Sequence, residues 1–379
     1  SLDKSLLFKE LTPFQHPDII PYTSMFELIR QKDILLHYPY HTFQHIINLV
    51  REAAIDPKVR AIKMTFYRVA KNSKIMNALI NAARNGKQIT VFLELQARFD
   101  EQANIDYAEQ MEQEGVNLVF GVQGLKVHSK MCVIEREENN KLKRYGFIST
   151  GNFNESTAKI YTDYTLFTAN QKILKDINKV FNFFETNYRV FRYKHIIKSP
   201  HYTKSAFFKL IDNEIQNIKA GKPAYIRLKM NSMSSYKMID KLYEASQAGV
   251  KIQLIIRGIC CLIPGVKGMS ENIEAISIVD KFLEHTRLFV FCNNEAPKVY
   301  ISSADWMTRN IENRVEVSCP IYDEQIKKEL IDTFNICWSD NTKARILNHN
   351  QNNIYKRNNY KKVRAQFETY NYYLKKLQN

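Results

Sequence analysis

Hydrophobic positions along the chain follow two alternating periods, and the alternation occurs twice. Residues 74–86 place Ile75, Ala78, Leu79 and Ala82 at helical spacing and close on Gly86, which suits the left-handed turn that stops a helix. The β-branched and apolar run over residues 88–94 then predicts a strand. Residues 237–249 repeat the helix and end on Gly249, and residues 251–257 repeat the strand. A further strand is expected before each block, over residues 61–68 and 225–230. Later, His128-Ser129-Lys130 is answered by His285-Thr286-Arg287, and Ile148-Ser149-Thr150-Gly151-Asn152 by Ile301-Ser302-Ser303-Ala304-Asp305. Several matches in one order mark a large internal duplication with short indels between the blocks.

Strands alternating with helices in two copies predict an α/β protein of two similar domains. Each is expected to be a mixed β-sheet flanked by helices, the two facing across a shared active-site cleft that holds His128 and His285. The joint falls near Lys198-Ser199-Pro200-His201, giving domains over residues 1–195 and 196–379. From Asn341 onward the chain is rich in Asn, Lys, Arg and Tyr, and a helix-containing basic extension over the second domain is expected there. A length of 379 residues exceeds one ordinary core, in keeping with two.

A formal net charge of +16 points to a polyanionic partner: nucleic acid, anionic membrane, nucleotide or polyphosphate. Charge alone does not choose among them. No apolar run reaches the roughly 18 residues of a membrane-spanning helix, and the N-terminus lacks a signal-peptide layout. Cys132, Cys260, Cys261, Cys292, Cys319 and Cys337 form no C-x-x-C pair and sit mostly in apolar runs, as reduced, buried thiols of a cytoplasmic protein would. The chain begins at Ser1 without an initiator Met, which suits a piece of something longer.

The candidate chemistry centres on residues 124–135. Strand periodicity there puts His128 and Lys130 on one face. An imidazole nucleophile beside a fixed cation suits attack on phosphorus, the histidine becoming a phosphoramidate while the ammonium balances phosphoryl charge. The small, polar turn at residues 149–155 can bind oxyanions. His37, His41 and His45 recur at helical spacing, but Pro39 interrupts the register and no carboxylate completes a metal set, so packed or surface histidines are expected. Val180-Phe181-Asn182-Phe183-Phe184 reads as helix core, and Glu94 as the partner of an arginine.

His-x-Lys followed by a Gly-x-Asn-like turn resembles the phospholipase D superfamily. Glu135 stands where phosphodiesterases of that group usually have Asp, and Arg287 replaces the second lysine, a swap that favours planar, bidentate phosphate contact. Longer blocks resemble the C-terminal catalytic half of bacterial polyphosphate kinases of the first type. They include Tyr38-Pro39-Tyr40-His41-Thr42-Phe43, Tyr67-Arg68-Val69-Ala70-Lys71 and Glu94-Leu95-Gln96-Ala97-Arg98-Phe99-Asp100-Glu101. Thr150-Gly151-Asn152-Phe153-Asn154-Glu155, Tyr161-Thr162-Asp163-Tyr164, Arg257-Gly258-Ile259-Cys260 and Ser302-Ser303-Ala304-Asp305-Trp306-Met307-Thr308-Arg309-Asn310 continue the likeness.

That resemblance implies an ATP–polyphosphate phosphotransferase whose His128 is phosphorylated by the ATP γ-phosphate, with Lys130 and His285 in the active site. It implies that Tyr161, Arg257, His285 and Arg287 contact the nucleotide, and that Arg68 and Arg98 match positions assigned to a Mg²⁺ site. Guanidinium has no lone pair to give, so these two arginines read as phosphate contacts beside Mg²⁺. Further implications are ATP and ADP as substrates, N-terminal and head domains that precede this portion, a homo-oligomer, and a cytoplasmic location that extends to the inner-membrane surface. The sequence contains no G-x-x-x-x-G-K-[ST] phosphate loop, so nucleotide phosphates would be held by arginines and turns. Two rival classes are a phosphodiesterase of the same fold, acting on nucleic acid or phospholipid, and a non-enzymatic nucleic-acid-binding module. The first would form no stable phosphoenzyme from ATP, and the second leaves the matched histidines unexplained.

Overall fold

The computed structural model describes residues 8, 10–67, 70, 72–94, 101–186, 189 and 191–378. The first half supplies strands β1 (Ile34–Tyr38), β2 (Val59–Phe66), β3 (Gln88–Leu93), β4 (Asn117–Phe120), β5 (Lys126–Val127), β6 (Lys130–Glu138), β7 (Lys141–Ser149) and β8 (Tyr161–Thr168). The second supplies β9 (Ile197–Ser199), β10 (Tyr225–Met230), β11 (Lys251–Ile256), β12 (Ile273–Ile278), β13 (Leu283–Glu284), β14 (Leu288–Phe291), β15 (Lys298–Ser302), β16 (Arg314–Ile321) and β17 (Ala344–Leu347).

The first sheet runs β1-β8-β7-β6-β2-β3-β4 and the second β17-β12-β11-β10-β14-β15-β16. Both are mixed. β2 pairs with β3 in parallel and with β6 antiparallel, and β10 does the same with β11 and β14. The duplicated blocks read in the sequence therefore occupy equivalent places.

Alternation along the strands divides each sheet between two apolar cores. On β6, Cys132 and Ile134 pack against the helices Gln44–Ile55 and Lys74–Arg84. Met131 and Val133 of the same strand face a core shared by both halves. That middle core holds the helix Gln171–Glu185 through Ile173, Ile177, Phe181 and Phe184, and the helix Glu324–Trp338 through Leu330 and Phe334. On the far side, Ile226 and Leu228 of β10 pack against the helices Thr203–Lys219 and Tyr236–Gln247. The result is five layers, helix–sheet–helix–sheet–helix. The expected aromatic run at residues 180–184 is core, as its spacing implies.

The C-terminal extension departs from expectation. Ala344–Leu347 joins the second sheet beside β12, but the terminal helix Ala365–Gln378 bridges both halves. Tyr373 packs with Tyr40 of the first half and Phe282 of the second, and its hydroxyl meets His37 Nδ1 at 3.1 Å and Glu329 Oε1 at 3.0 Å. The reason lies in its aromatics, which bury better against a two-sided seam than on one surface.

Candidate active site

Two short strands cross between the halves, and a candidate histidine follows each. β5 leaves the first half to lie parallel to β16, with Lys126 opposite Arg314 and Val127 opposite Val315. β13 leaves the second half to lie parallel to β8, with Leu283 opposite Tyr161 and Glu284 opposite Thr162. The backbone N–H groups of His128 and Ser129 both donate to Val315 O, at 3.0 and 2.9 Å. His285 N donates to Thr162 Oγ1 at 3.1 Å. The single strand face expected for His128 and Lys130 is thus a correction. β5 ends at Val127 and β6 begins at Lys130, because the two strands belong to different sheets, and His128 occupies the break between them.

The exchange hands each histidine a carboxylate from the opposite half. His128 Nδ1 lies 2.8 and 3.0 Å from the two oxygens of Glu316. His285 Nδ1 lies 2.9 Å from both oxygens of Asp163. Sequence reasoning missed both acids. Asp163 is the third residue of β8 and Glu316 the third of β16, so aligning Tyr161-Thr162-Asp163 with Arg314-Val315-Glu316 would have exposed the pair. Glu316 also accepts from Ser303 Oγ and from Asn310 Nδ2 at 2.7 Å, and Asp163 from Thr150 Oγ1 at 2.6 Å. The turn expected to bind an oxyanion therefore grips an internal carboxylate. Gly151 is required there, since a Cβ would stand 2.0 Å from Asp163 Oδ2.

The cations divide in use. Lys130 is buried, and burial pushes its pKa down to about 7. Its ammonium donates to the carbonyl oxygen of His128. Arg287 directs its planar fork at Asp305, with Nε 3.3 Å from Oδ1 and Nη2 3.1 Å from Oδ2. Its Nη1 reaches His285 O at 2.8 Å, His285 Nε2 at 3.1 Å and Thr150 O at 3.3 Å. The bidentate grip of Arg287 falls on a buried carboxylate. Arg257 is half-buried, bonding Glu284 O at 2.7 Å through Nε and Asn231 Oδ1 at 2.9 Å through Nη2. Its Nη1 has no hydrogen-bond partner among the described residues.

An aromatic ring flanks each histidine. The Tyr67 centroid is 5.2 Å from that of His128, edge-on, and the Tyr161 centroid is 5.2 Å from that of His285. Burial pulls the pKa of His128 down to about 4 even with Glu316 opposing it, and burial likewise lowers that of His285. Lys130 is among the charges felt by His285 and Arg287 among those felt by His128, so one electrostatic environment covers both rings.

Arg68 and Arg98 lie outside the described residues. Among the described residues no group of three or more His, Cys, Asp or Glu side chains could hold a metal ion. His37, His41 and His45 are buried packing residues, in contact with Tyr373 and His16. Glu135 ion-pairs with Arg144 on the neighbouring strand at 2.8 Å. Of the six cysteines, Cys132, Cys292, Cys319 and Cys337 are buried as expected, whereas Cys261 is exposed. No helix among the described residues is long and apolar enough to cross a membrane.

Family models match almost the whole chain: polyphosphate kinase C-terminal domain 1 over residues 24–190 and C-terminal domain 2 over residues 196–366. The chain belongs to the polyphosphate kinase family. It is 50% identical over 365 residues to a polyphosphate kinase of Vibrio parahaemolyticus, covering 96% of this chain and 52% of the relative. The crystal structure of polyphosphate kinase from Porphyromonas gingivalis superposes with a TM-score of 0.91 at 42% identity, covering 98% of this chain and 57% of that one. The chain spans about half the length of the curated relatives it matches. A phosphatidylserine synthase of Haemophilus influenzae shares the fold alone, with a TM-score of 0.56 at 10% identity over 92% of this chain and 93% of that one. The pair of mixed-sheet α/β domains expected from the sequence is the fold found.

Proposed function

We propose that this chain carries the catalytic chemistry of a polyphosphate kinase: reversible transfer of the ATP γ-phosphate to polyphosphate through a phosphohistidine at His128. The observation that carries the proposal is the 2.8 Å contact of His128 Nδ1 with Glu316. A carboxylate there keeps the ring proton on Nδ1 and leaves the Nε2 lone pair for phosphorus. As the N–P bond forms, the bond to the β-phosphate oxygen breaks and ADP leaves with that electron pair. Positive charge created on the ring is balanced by Glu316. In the second step the terminal oxygen of a polyphosphate attacks phosphorus and the N–P bond breaks. A phosphoramidate has transfer potential near that of an anhydride, so the steps run both ways.

Lys130, buried beside the nucleophile, supplies positive field, which phosphoryl transfer chiefly needs. Arg257 offers Nη1 to a nucleotide phosphate, and Tyr161 and His285 border the same nucleotide. Arg68 and Arg98 are proposed as bidentate phosphate contacts, in line with guanidinium chemistry. Mg²⁺ belongs to this scheme as the ion that nucleotide phosphates bring with them, since the described residues offer it no carboxylate or histidine set. The domain division at 195/196, preceding N-terminal and head domains, a homo-oligomer and a cytoplasmic location reaching the inner-membrane surface are parts of the same proposal. The net charge of +16 favours encounter with the polymer.

Product analysis tests it. With ATP and a polyphosphate primer, chain growth in step with ADP release is expected, as is ATP formation from ADP and excess polyphosphate. Cleavage of a phosphodiester without chain growth would assign the site to the diesterase class.

A further inference from the structure

Two histidines with matched carboxylates and matched exposure should be equal nucleophiles. Their side chains are 12% and 14% exposed for His128 and His285, so access does not separate them. Their Nε2 atoms do differ. His285 Nε2 lies 3.1 Å from Arg287 Nη1, and a guanidinium can only donate, so Nε2 must accept. With Nδ1 donating to Asp163, both ring nitrogens of His285 are committed. His128 Nε2, by contrast, has no hydrogen-bond partner among the described residues. Lys130, in the place matching Arg287, sends its one nitrogen to the carbonyl oxygen of His128.

Arg287 is held in this pose from two sides. Asp305 takes its Nε and Nη2, and Thr150 O of the other half lies 3.3 Å from Nη1. Asp305 is fixed in turn by accepting from Asn231 N at 2.7 Å.

We infer that Arg287 is a positioning residue that withholds the lone pair of His285 and thereby assigns the phosphoryl-accepting role to His128. The inference rests on the proposed phosphotransfer only for the use made of the free lone pair; the withholding itself is independent of any substrate. The choice between two pseudo-equivalent histidines is then made by the residue two positions beyond each, lysine in one half and arginine in the other.

Carbethoxylation with diethyl pyrocarbonate, read residue by residue by mass spectrometry, tests this in the wild-type chain and in Arg287→Lys and Lys130→Arg. Folding of each is checked by circular dichroism. In the wild type His128 should react at least about tenfold faster than His285, the usual scale of a charge-assisted hydrogen bond. Arg287→Lys should raise the His285 rate to the level of His128, and Lys130→Arg should slow His128. Equal rates in the wild type, or a His285 rate unmoved in folded Arg287→Lys, would overturn the inference. If Arg287→Lys does not fold, imidazole nitrogen NMR of the wild type decides. A His285 ring protonated at Nδ1 with a hydrogen-bonded Nε2 supports the inference, and protonation at Nε2 refutes it. None of these readouts involves ATP or polyphosphate, so absence of phosphotransfer would count against the proposed function and not against this inference.

Discussion

His128 and Glu316 are 188 positions apart in sequence, yet they meet at 2.8 Å because the strand before one is an edge of the sheet that carries the other. Neither half by itself completes the histidine–carboxylate pair at His128 or at His285. Glu316→Gln keeps the shape and removes the charge that balances a phosphorylated ring. It should lower phosphotransfer by roughly 10²–10⁴-fold, the range of a lost acid–base partner, with little change in nucleotide affinity. Steady-state kinetics separates the two; a loss confined to KM would place Glu316 in binding instead.

The pH profile of phosphoenzyme formation should lack the rise near pH 6.5 that an ordinary histidine gives, because burial holds His128 near a pKa of about 4. It should instead decline above pH 7, where Lys130, lowered by burial to about 7, loses its charge. Single-turnover labelling across pH 5–9 checks both limbs. A rise centred near pH 6.5 would mean that the ring titrates as if exposed.

Acid should destabilise the fold through histidines away from the site. Burial lowers His16 and His45 to about 4 and His37 and His41 well below the ordinary 6.5. A depressed histidine binds fewer protons folded than unfolded, so its contribution is complete above pH 6.5 and is lost as pH falls toward 4. The melting temperature should be flat above that window and drop within it. A flat melting temperature from pH 7 down to pH 4 would show that these rings are not buried in solution.

Beside His285, Lys229 and Glu284 form a buried ion pair at 2.7 Å. Lys229→Met leaves the Glu284 charge uncompensated and should cost roughly 3–5 kcal/mol, whereas Lys229→Met with Glu284→Leu should recover most of it. Thermal or denaturant unfolding of both variants tests the pair. Equal loss in the single and double variants would make packing, not charge, the cause.

Helix and strand periods, glycine stops and the order of matched blocks made the two α/β halves legible in the sequence, down to β10 at Tyr225–Met230. The exchange of β5 and β13 was not. Two-residue strands carry no period, and their pairing is chosen by partners in the other half. The same distance hid Asp163 and Glu316 and the bridging role of Tyr373. The Asp305 partner of the Arg287 fork was likewise hidden, because Asp305 reaches it through the turn and not through nearby sequence. His128 and His285 stood out as candidate residues, and the exchange that brings each its carboxylate required the fold.

The central claim is that His128 Nε2 accepts the γ-phosphate, and covalent labelling tests it most directly. The chain is incubated with Mg²⁺ and ATP radiolabelled at the γ-phosphate, then digested and mapped. Acid-labile, base-stable label on the peptide containing His128, absent from His128→Ala and discharged by added polyphosphate, is the expected result. Acid-stable label, or acid-labile label that persists in His128→Ala, would contradict the account.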